Sequence, residues 1–212
     1  MSNLIIVESK NDEFFIERLI EYSSLDNINV QYICEFKCLD GINNLNKKLK
    51  DIKFDKYNKI GIILDADKEG IDKRIEFINK ALKNVCNDVK ITAINKLEKS
   101  SELDVDFACY IMNVNGYGEL ETVLKSIKKS DSVFADCLES WRECLKAHNK
   151  DISDKDFDKF YISNYIRFDT CSKSDQKQAN KYCSFEYSMK KDIWDLDNNI
   201  LDDLKEFLRL LI

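Results

Sequence analysis

Two short runs of apolar residues in this sequence each end in acidic side chains. The first run, Leu4–Val7, is followed by Glu8, and the second, Ile60–Leu64, is followed by Asp65 and Asp67. Short runs without polar residues are typical of strands that are buried on both faces of a parallel sheet. Helical patterns follow both runs, so the acids are predicted to lie at the carboxyl ends of strands, where open α/β sheets bind ligands.

Carboxylates that gather at one sheet edge repel one another unless a cation lies among them. Mg²⁺ (or Mn²⁺) prefers oxygen ligands, so the pattern favours a metal site for phosphate chemistry. A second interpretation needs no metal, because acids near helix N-termini are stabilised by the helix dipole and cap free N–H groups. That interpretation is favoured for Asp12 and Glu69 taken singly. The placement of Glu8, Asp65 and Asp67 on two strands favours the metal site.

Apolar periodicity predicts an α/β fold, in which a mostly parallel sheet is flanked by helices and further helices follow toward the C-terminus. We expect a single domain over residues 1–212, with a core of roughly 1–130 and a helical elaboration of roughly 131–212. The stretch 96–106 is predicted to be a loop, and 115–118 a turn. Strands are predicted at 4–7, 30–36, 60–64, 89–94 and 107–114, and helices at 12–22, 42–52, 71–82, from 119, 132–147, 154–168 and 199–211.

The amino-acid composition limits which catalytic residues and metal sites the chain can use. The chain has one histidine, His148, in a polar stretch, so histidine-based triads and nucleases are disfavoured. Its eight cysteines include no Cys-x-x-Cys pair, and buried reduced thiols are the favoured interpretation for most of them. No apolar run is long enough to cross a bilayer and the start has no basic leader pattern, so we expect a cytoplasmic protein without membrane contact. Carboxylates, lysines and a metal remain to carry any catalysis.

Net charge bears on the partners of the chain. A net charge of −6 gives no general attraction to DNA or RNA. Lysines crowd residues 47–59 and 125–129, and solvated helix faces are the favoured interpretation for each cluster. The sequence leaves open whether the chain forms a homo-oligomer.

Several stretches resemble known proteins. Val7–Glu13 followed by Leu64–Asp67 resembles the Toprim fold of topoisomerases, primases and overcoming-lysogenization-defect (OLD) nucleases. That pattern is a strand-terminal Glu, often in Glu-Gly-Lys-x-Asp, followed by a later Asp-x-Asp. Further stretches resemble a small bacterial Toprim-like family of unassigned function, so that the resemblance covers nearly the whole chain: 118–121, 158–165, 193–197 and 204–208.

The resemblance implies a role for each matching residue. Glu8 would act as general acid/base or metal ligand, and Lys10 would support developing charge. Ser9 stands where the family usually has Gly, which would hinder close approach of a substrate to the backbone. The implied metal ligands are Glu8, Asp65, Asp67, Asp12 (the extra acid of OLD-type nucleases) and Glu121 (a late ligand).

Two functions follow as hypotheses. The first is a Mg²⁺-dependent nuclease or related phosphoryl-transfer enzyme that acts on DNA or RNA through these carboxylates. The second is a non-catalytic Toprim-like binding subunit that works with a separate ATPase, as in defence against phage. The chain is too small for the extra domains of a topoisomerase or primase, so a nuclease is the preferred enzyme, whereas the negative charge favours the second hypothesis.

Overall fold

A computed structural model of the chain describes residues 2–25, 27–32 and 44–212. The chain divides into two compact units, one formed by 1–118 with 201–212 and the other by 119–200. The first unit contains the sheet, and the second is helical. The predicted fold, a mostly parallel sheet flanked by helices with further C-terminal helices, is confirmed. The single domain with a core of roughly 1–130 stays a prediction.

The described residues form strands and helices within the following bounds. The strands are β1 (Ser2–Val7), β2 (Ile28–Tyr32), β3 (Tyr57–Asp65), β4 (Glu98–Ser100) and β5 (Val105–Met112). The helices of the first half are α1 (Lys10–Tyr22), α2 (Leu45–Asp51), α3 (Ile71–Leu82) and α4 (Leu120–Ser126). The later helices are α5 (Val133–Ala147), α6 (Asp154–Asn164), α7 (Lys173–Gln176), α8 (Ala179–Tyr182), α9 (Phe185–Ser188) and α10 (Asp202–Leu210).

The sheet has the strand order β2-β1-β3-β5-β4, in which β4 alone is antiparallel to its neighbour. Strands β1 and β3 are direct parallel neighbours, with Leu4 opposite Ile60 and Ile6 opposite Ile62. Parallel neighbours end at the same sheet edge, so the two acidic groups that follow them are brought to one place.

Three sequence predictions differ from the structure. The stretch 89–94 forms no strand, because the Asn79 side chain bonds both backbone groups of Ile91, accepting from its N–H at 2.8 Å and donating to its carbonyl at 2.8 Å. The predicted loop 96–106 contains β4 instead. The helix predicted for 154–168 ends as an α-helix at Asn164 and continues as a π-helical turn, Tyr165–Asp169. The predicted strand end beyond 32 and helix start at 42 lie outside the described residues.

Both faces of the sheet are covered within the first unit. On one face, Leu4, Ile6 and Ile62 pack in a cluster with apolar residues of α2 and α3. On the other face, Phe207 and Leu211 approach Gly61 of β3. Lys59 also holds the chain end, since its Nζ donates to the carbonyl of Leu210 at 2.8 Å. The C-terminal helix is therefore part of the unit that contains the sheet.

Gly61→Ala is expected to lower the free energy of unfolding by about 1–3 kcal/mol. A Cβ at this position would lie 2.6 Å from Leu211 Cδ1 and 2.8 Å from Phe207 Cζ, so α10 would have to shift. Urea denaturation monitored by circular dichroism measures the change. Leu211→Ala removes the nearer of these two atoms. In a chain that already carries Leu211→Ala, the further substitution Gly61→Ala should therefore lower the free energy of unfolding by less than it does in the native chain. An unchanged unfolding energy for Gly61→Ala would contradict this packing.

A polar network joins the helices of the second unit. The Tyr161 hydroxyl of α6 donates to Asp136 of α5, and it accepts a hydrogen bond from Lys128 Nζ. Lys128 Nζ also donates to Ser132 Oγ at 2.6 Å. Burial, followed by the bond to Asp136, raises the pKa of Tyr161 to about 12. These bonds connect the segment after α4 to both following helices.

The cysteines divide into three groups. The prediction of buried reduced thiols is confirmed for Cys86 and Cys109 and wrong for the other four described cysteines. Cys171 and Cys183 form a disulfide, and the two cysteines of α5 (Cys137, Cys144) are exposed. Those at 34 and 38 lie outside the described residues. In the described ranges, no helix combines the length and apolar character needed to cross a bilayer.

Candidate active site

Glu8 and Asp65 meet where β1 and β3 end. Glu8 directly follows β1, and Asp65 is the last residue of β3. A Glu8 carboxylate oxygen, Oε2, accepts a hydrogen bond from the backbone N–H of Asp65 at 3.4 Å. Asp65 is 8% exposed. Two carboxyl-bearing residues from adjacent strands therefore lie beside each other at the sheet edge.

Asp12 lies beside this pair in the first turn of α1. Its carboxylate accepts hydrogen bonds from the backbone N–H of Ser9 at 2.8 Å and from the Ser9 hydroxyl at 2.6 Å. Burial raises the pKa of Asp12 to about 6, a hydrogen bond from Ser9 opposes that rise, and the negative charge of Glu8 adds to it. The Asp12 carboxylate thus completes the capping box at the start of α1, as the metal-free interpretation expects, and its pKa also responds to the charge of Glu8.

Ser9 has a structural role at the position where the resembled family usually has Gly. It is the N-cap of α1, with extended backbone at a φ of −131°, and its hydroxyl accepts a bond from the Asp12 N–H at 3.3 Å. This conformation is open to any L-residue, so Gly is not needed there. The serine stabilises the start of the helix directly after Glu8.

Asp67 is held in a different way from Asp65. Its backbone has a φ of 49° and exchanges two hydrogen bonds with Gly118, at 2.7 and 3.0 Å. Its carboxylate forms an ion pair with Arg74 of α3. Arg74 Nε is buried without a hydrogen-bond partner. The metal-ligand role of Asp67 stays a prediction, and binding a cation there would require the carboxylate to share or exchange its arginine.

Lys10 lies at the first position of α1 with its side chain half exposed. Its ammonium group pairs with Glu13 and lies 4.9 Å from the centre of the Phe14 ring. The structure thus places Lys10 next to the acidic edge but shows it in contact with its own helix. Its predicted catalytic role is not tested by these contacts.

A positively charged cavity opens beside α2. Its volume is about 240 Å³, and three lysines and one aspartate line it together with uncharged residues: Lys48, Lys53, Lys56, Asp51, Gln31, Ile52 and Tyr57. Gln31 lies on β2 in register with Ile6, two residues before Glu8. Among the described residues these three lysines form no ion pair. Tyr57, the first residue of β3, lies in register with Ser2 at the amino end of β1, so the cavity extends along the sheet from β2 to the amino end of β3.

Glu121 and Glu119 lie in the second unit, at the start of α4. Both are buried. Glu119 forms ion pairs with Lys155 at 3.1 Å and Lys159 at 3.6 Å, while its other carboxylate oxygen, Oε1, is buried without a hydrogen-bond partner. Burial and, secondarily, the charge of Glu121 raise the pKa of Glu119 to about 7, although Lys155 and Lys159 oppose the rise.

Glu119→Gln is expected to change how stability depends on pH. The pKa of Glu119 is raised from 4.5 to about 7 on folding. The stability that protonated Glu119 contributes to the folded state is therefore complete below pH 4.5 and is lost as the pH rises through 7. The free energy of unfolding of the native chain should therefore fall relative to the variant by roughly 2–3 kcal/mol over that interval. Chemical denaturation at a series of pH values measures the difference. Parallel stability curves would contradict the raised pKa.

The donor chemistry at the sheet edge fits a hard divalent cation. Glu8 and Asp65 supply carboxylate oxygens, and Mg²⁺ is commonly held by one or two carboxylates with water completing its shell. Asp12 is a buried carboxyl whose pKa is raised beside Glu8, which is the electrostatic setting that a cation relieves. Within the described ranges, no group of three or more Asp, Glu, His or Cys side chains is arranged to hold a metal ion. Glu8 and Asp65 are therefore the residues whose carboxylates would hold such a cation, with water completing its shell.

Arg74 was missed by the sequence reasoning, and the role of Glu119 was left open between a first-turn helix acid and a metal ligand. Arg74 has a signal in hindsight, because a basic residue one turn into the helix after Asp-x-Asp can reach back to the second Asp. The ion pairs of Glu119 have no signal in the sequence, because Lys155 and Lys159 lie more than thirty positions away and only the packing of α6 against α4 joins them.

Comparison with known proteins supports a family assignment. The model of the family described as protein of unknown function (DUF3226) matches residues 2–212. No curated protein and no solved structure matches the sequence. The match spans nearly the whole chain, so this protein belongs to the DUF3226 family.

Proposed function

We propose that this protein is a Mg²⁺- or Mn²⁺-dependent phosphodiesterase that acts on nucleic acid at the sheet edge formed by Glu8 and Asp65. The observation that carries the proposal is the 3.4 Å contact between the Glu8 carboxylate and the Asp65 N–H at two adjacent parallel strand ends. The buried carboxyl of Asp12 next to Glu8 supports it. The resemblance of the same residues to Toprim nucleases of the OLD type agrees with this assignment.

Each residue has a distinct task under this proposal. Glu8 and Asp65 would hold the cation, which when bound would neutralise the scissile phosphate and lower the pKa of an attacking water. Glu8 is half-buried and would accept the proton of that water. Asp12 and Ser9 hold the start of α1 and so keep Glu8 at the strand end. Lys10, next in sequence, would have to leave Glu13 to support charge on a phosphate.

The lysine-lined cavity would supply the attraction to nucleic acid that the whole chain lacks. A net charge of −6 repels a polyanion, whereas Lys48, Lys53 and Lys56 form a local positive surface beside α2. Each phosphate of a single strand that a lysine neutralises releases counterions and adds about 0.7 to the magnitude of the slope of log K against log salt.

Replacing Lys48, Lys53 and Lys56 together by Gln is expected to weaken binding of single-stranded DNA or RNA and to reduce the magnitude of the slope of log K against log salt by about 2. Fluorescence anisotropy with a labelled oligonucleotide at several salt concentrations measures both. The matched control replaces three other exposed lysines by Gln: Lys146, Lys150 and Lys190. Equal slopes for the two triple variants would refute a role of the cavity.

The proposed activity is tested by incubating the purified chain with DNA and with RNA in the presence of Mg²⁺ or Mn²⁺. We expect weak cleavage that chelation of the metal abolishes and that rises when a partner supplies nucleic-acid affinity. Failure to cleave either polymer, with or without a candidate ATPase, would reject the phosphodiesterase.

The second candidate function is a non-catalytic subunit that works with a separate ATPase, as in cytoplasmic defence against phage. Two observations favour it over catalysis. The net charge is −6, and the Asp67 carboxylate is ion-paired with Arg74. This candidate predicts nucleic-acid or nucleotide binding by the complex without metal-dependent cleavage by this chain.

A further inference from the structure

Helix α5 has an exposed face without charge in a chain of which 34% of residues are charged. In heptad lettering with Phe134 at position a, the b, c and f positions carry five charges: Asp136, Glu139, Arg142, Glu143 and Lys146. The a, d and g positions carry none, and all seven are exposed: Val133, Phe134, Cys137, Ser140, Trp141, Cys144 and Ala147. We name these seven residues the α5 seam. Such a division is typical of a helix that packs against another helix.

Aromatic side chains from the rest of the second unit extend the α5 seam. Phe168 lies 6.0 Å from the Phe134 ring, and Phe160 lies 5.4 Å from the Trp141 ring, measured between ring centres. Phe134 is 61% exposed, Trp141 39%, Phe160 42% and Phe168 41%. At about 200 Å² for each side chain, these four alone expose roughly 400 Å² of apolar surface.

We propose that the α5 seam is the interface of a symmetric homodimer, in which α5 packs antiparallel against α5 of a second copy. The area suits this occupant, because one side of a standard interface buries about 800 Å², of which a little over half is apolar. The lack of charge on the α5 seam also suits a second copy of the chain. Two copies that each carry a net charge of −6 can approach closely only through faces on which like charges do not meet, and the α5 seam is such a face.

The sizes of the side chains select the antiparallel arrangement. Antiparallel helices pair each a position with a d position of the other copy, so Phe134 faces Cys144 of the second copy and Trp141 faces Cys137 of the second copy. Every layer then contains one large and one small side chain, which keeps the distance between the helix axes even. A parallel pair would instead stack aromatic on aromatic and cysteine on cysteine. A twofold axis makes each of these contacts occur twice.

Sedimentation and a single substitution test the interface. At about 50 µM, well above a dissociation constant of about 1 µM, the native chain should sediment with twice its 24.9 kDa mass. Ser140→Asp adds one negative charge to the middle of the seam in each copy and should raise the dissociation constant at least tenfold. Lys146→Gln changes the net charge equally on the charged face of α5 and should leave it unchanged. Circular dichroism verifies that both variants fold.

Introduced thiols test the register. Trp141→Cys should give a covalent dimer on mild oxidation, because position 141 then faces Cys137 of the second copy, and adding Cys137→Ser should abolish it. Phe134→Cys should likewise join position 134 to Cys144 of the second copy. Peptide mapping locates each bond. The native chain, in which no antiparallel layer contains two cysteines, should form no bond between Cys137 residues.

Three outcomes would overturn the proposal. A native chain that sediments as a monomer at about 50 µM lacks the dimer, because the concentration exceeds the expected dissociation constant roughly fiftyfold. A dimer that Ser140→Asp leaves intact uses another surface. A dimer that joins Cys137 to Cys137 on oxidation, or that neither introduced thiol links, does not have the antiparallel pairing.

Discussion

Glu8→Gln is expected to lower metal-dependent cleavage of nucleic acid by at least about 100-fold, since general acid–base catalysis alone contributes about that much or more. The substitution removes one charge and almost no volume. The amide oxygen of Gln can still accept the N–H of Asp65, so the contact between the two strand ends survives. The loss would therefore report the missing carboxylate and not a changed fold.

The matched control for this prediction is Glu69→Gln. Glu69 lies in the turn after β3, is exposed, and pairs with Lys73 at 2.8 Å. It undergoes the same chemical change near the same sheet edge, and cleavage should stay at the native level. If Glu8→Gln cleaves as fast as the native chain, the activity belongs to another site or another protein in the preparation.

Asp65→Asn is expected to weaken binding of Mn²⁺ or Mg²⁺ at least tenfold, because a carboxylate oxygen at the metal loses its charge. Binding that is confined to the folded state stabilises it by mass action. At a metal concentration a hundredfold above the dissociation constant of the native chain, the stabilisation is about 2.7 kcal/mol, and tenfold weaker binding reduces it to about 1.4 kcal/mol. Titration calorimetry and denaturation with and without metal measure the two quantities independently of activity.

Asp72→Asn is the matched control for metal binding. Asp72 is exposed in the first turn of α3 and undergoes the same chemical change. Its variant should bind the metal like the native chain. Equal metal affinity of Asp65→Asn and the native chain would remove Asp65 from the site, and an absence of metal binding by the native chain would remove the metal itself.

Local patterns determined much of the fold. The runs 4–7 and 60–64 are apolar at every position except Gly61, which is a property that buried parallel strands require and that neighbouring residues alone reveal. The structure places the two runs side by side, and the Glu8 carboxylate contacts the backbone N–H of Asp65. The a/d spacing of α5 is equally visible in the sequence, but its exposure is not.

Local patterns gave wrong secondary structure where the backbone hydrogen bonds are made by groups distant in the sequence. The stretch 89–94 alternates like a strand, yet Asn79 bonds both backbone groups of Ile91. The alternating apolar residues Val89 and Ile91 are buried in the core, although the stretch pairs with no strand. The short strand β4 is polar, and it exists because β5 offers it a free edge. Pairing of this kind depends on contacts that periodicity does not report.

The sequence by itself determined which acids stand at strand ends, because the residues that make a strand and the acid that follows it are adjacent in the chain. Only the tertiary structure decided the electrostatic state of each acid. Asp67 is paired with Arg74, Asp12 has its pKa raised by burial beside Glu8, and Glu119 is held between Lys155 and Lys159. The physical reason is that burial and charge pairing depend on distances in space, which packing sets and which separation along the chain does not.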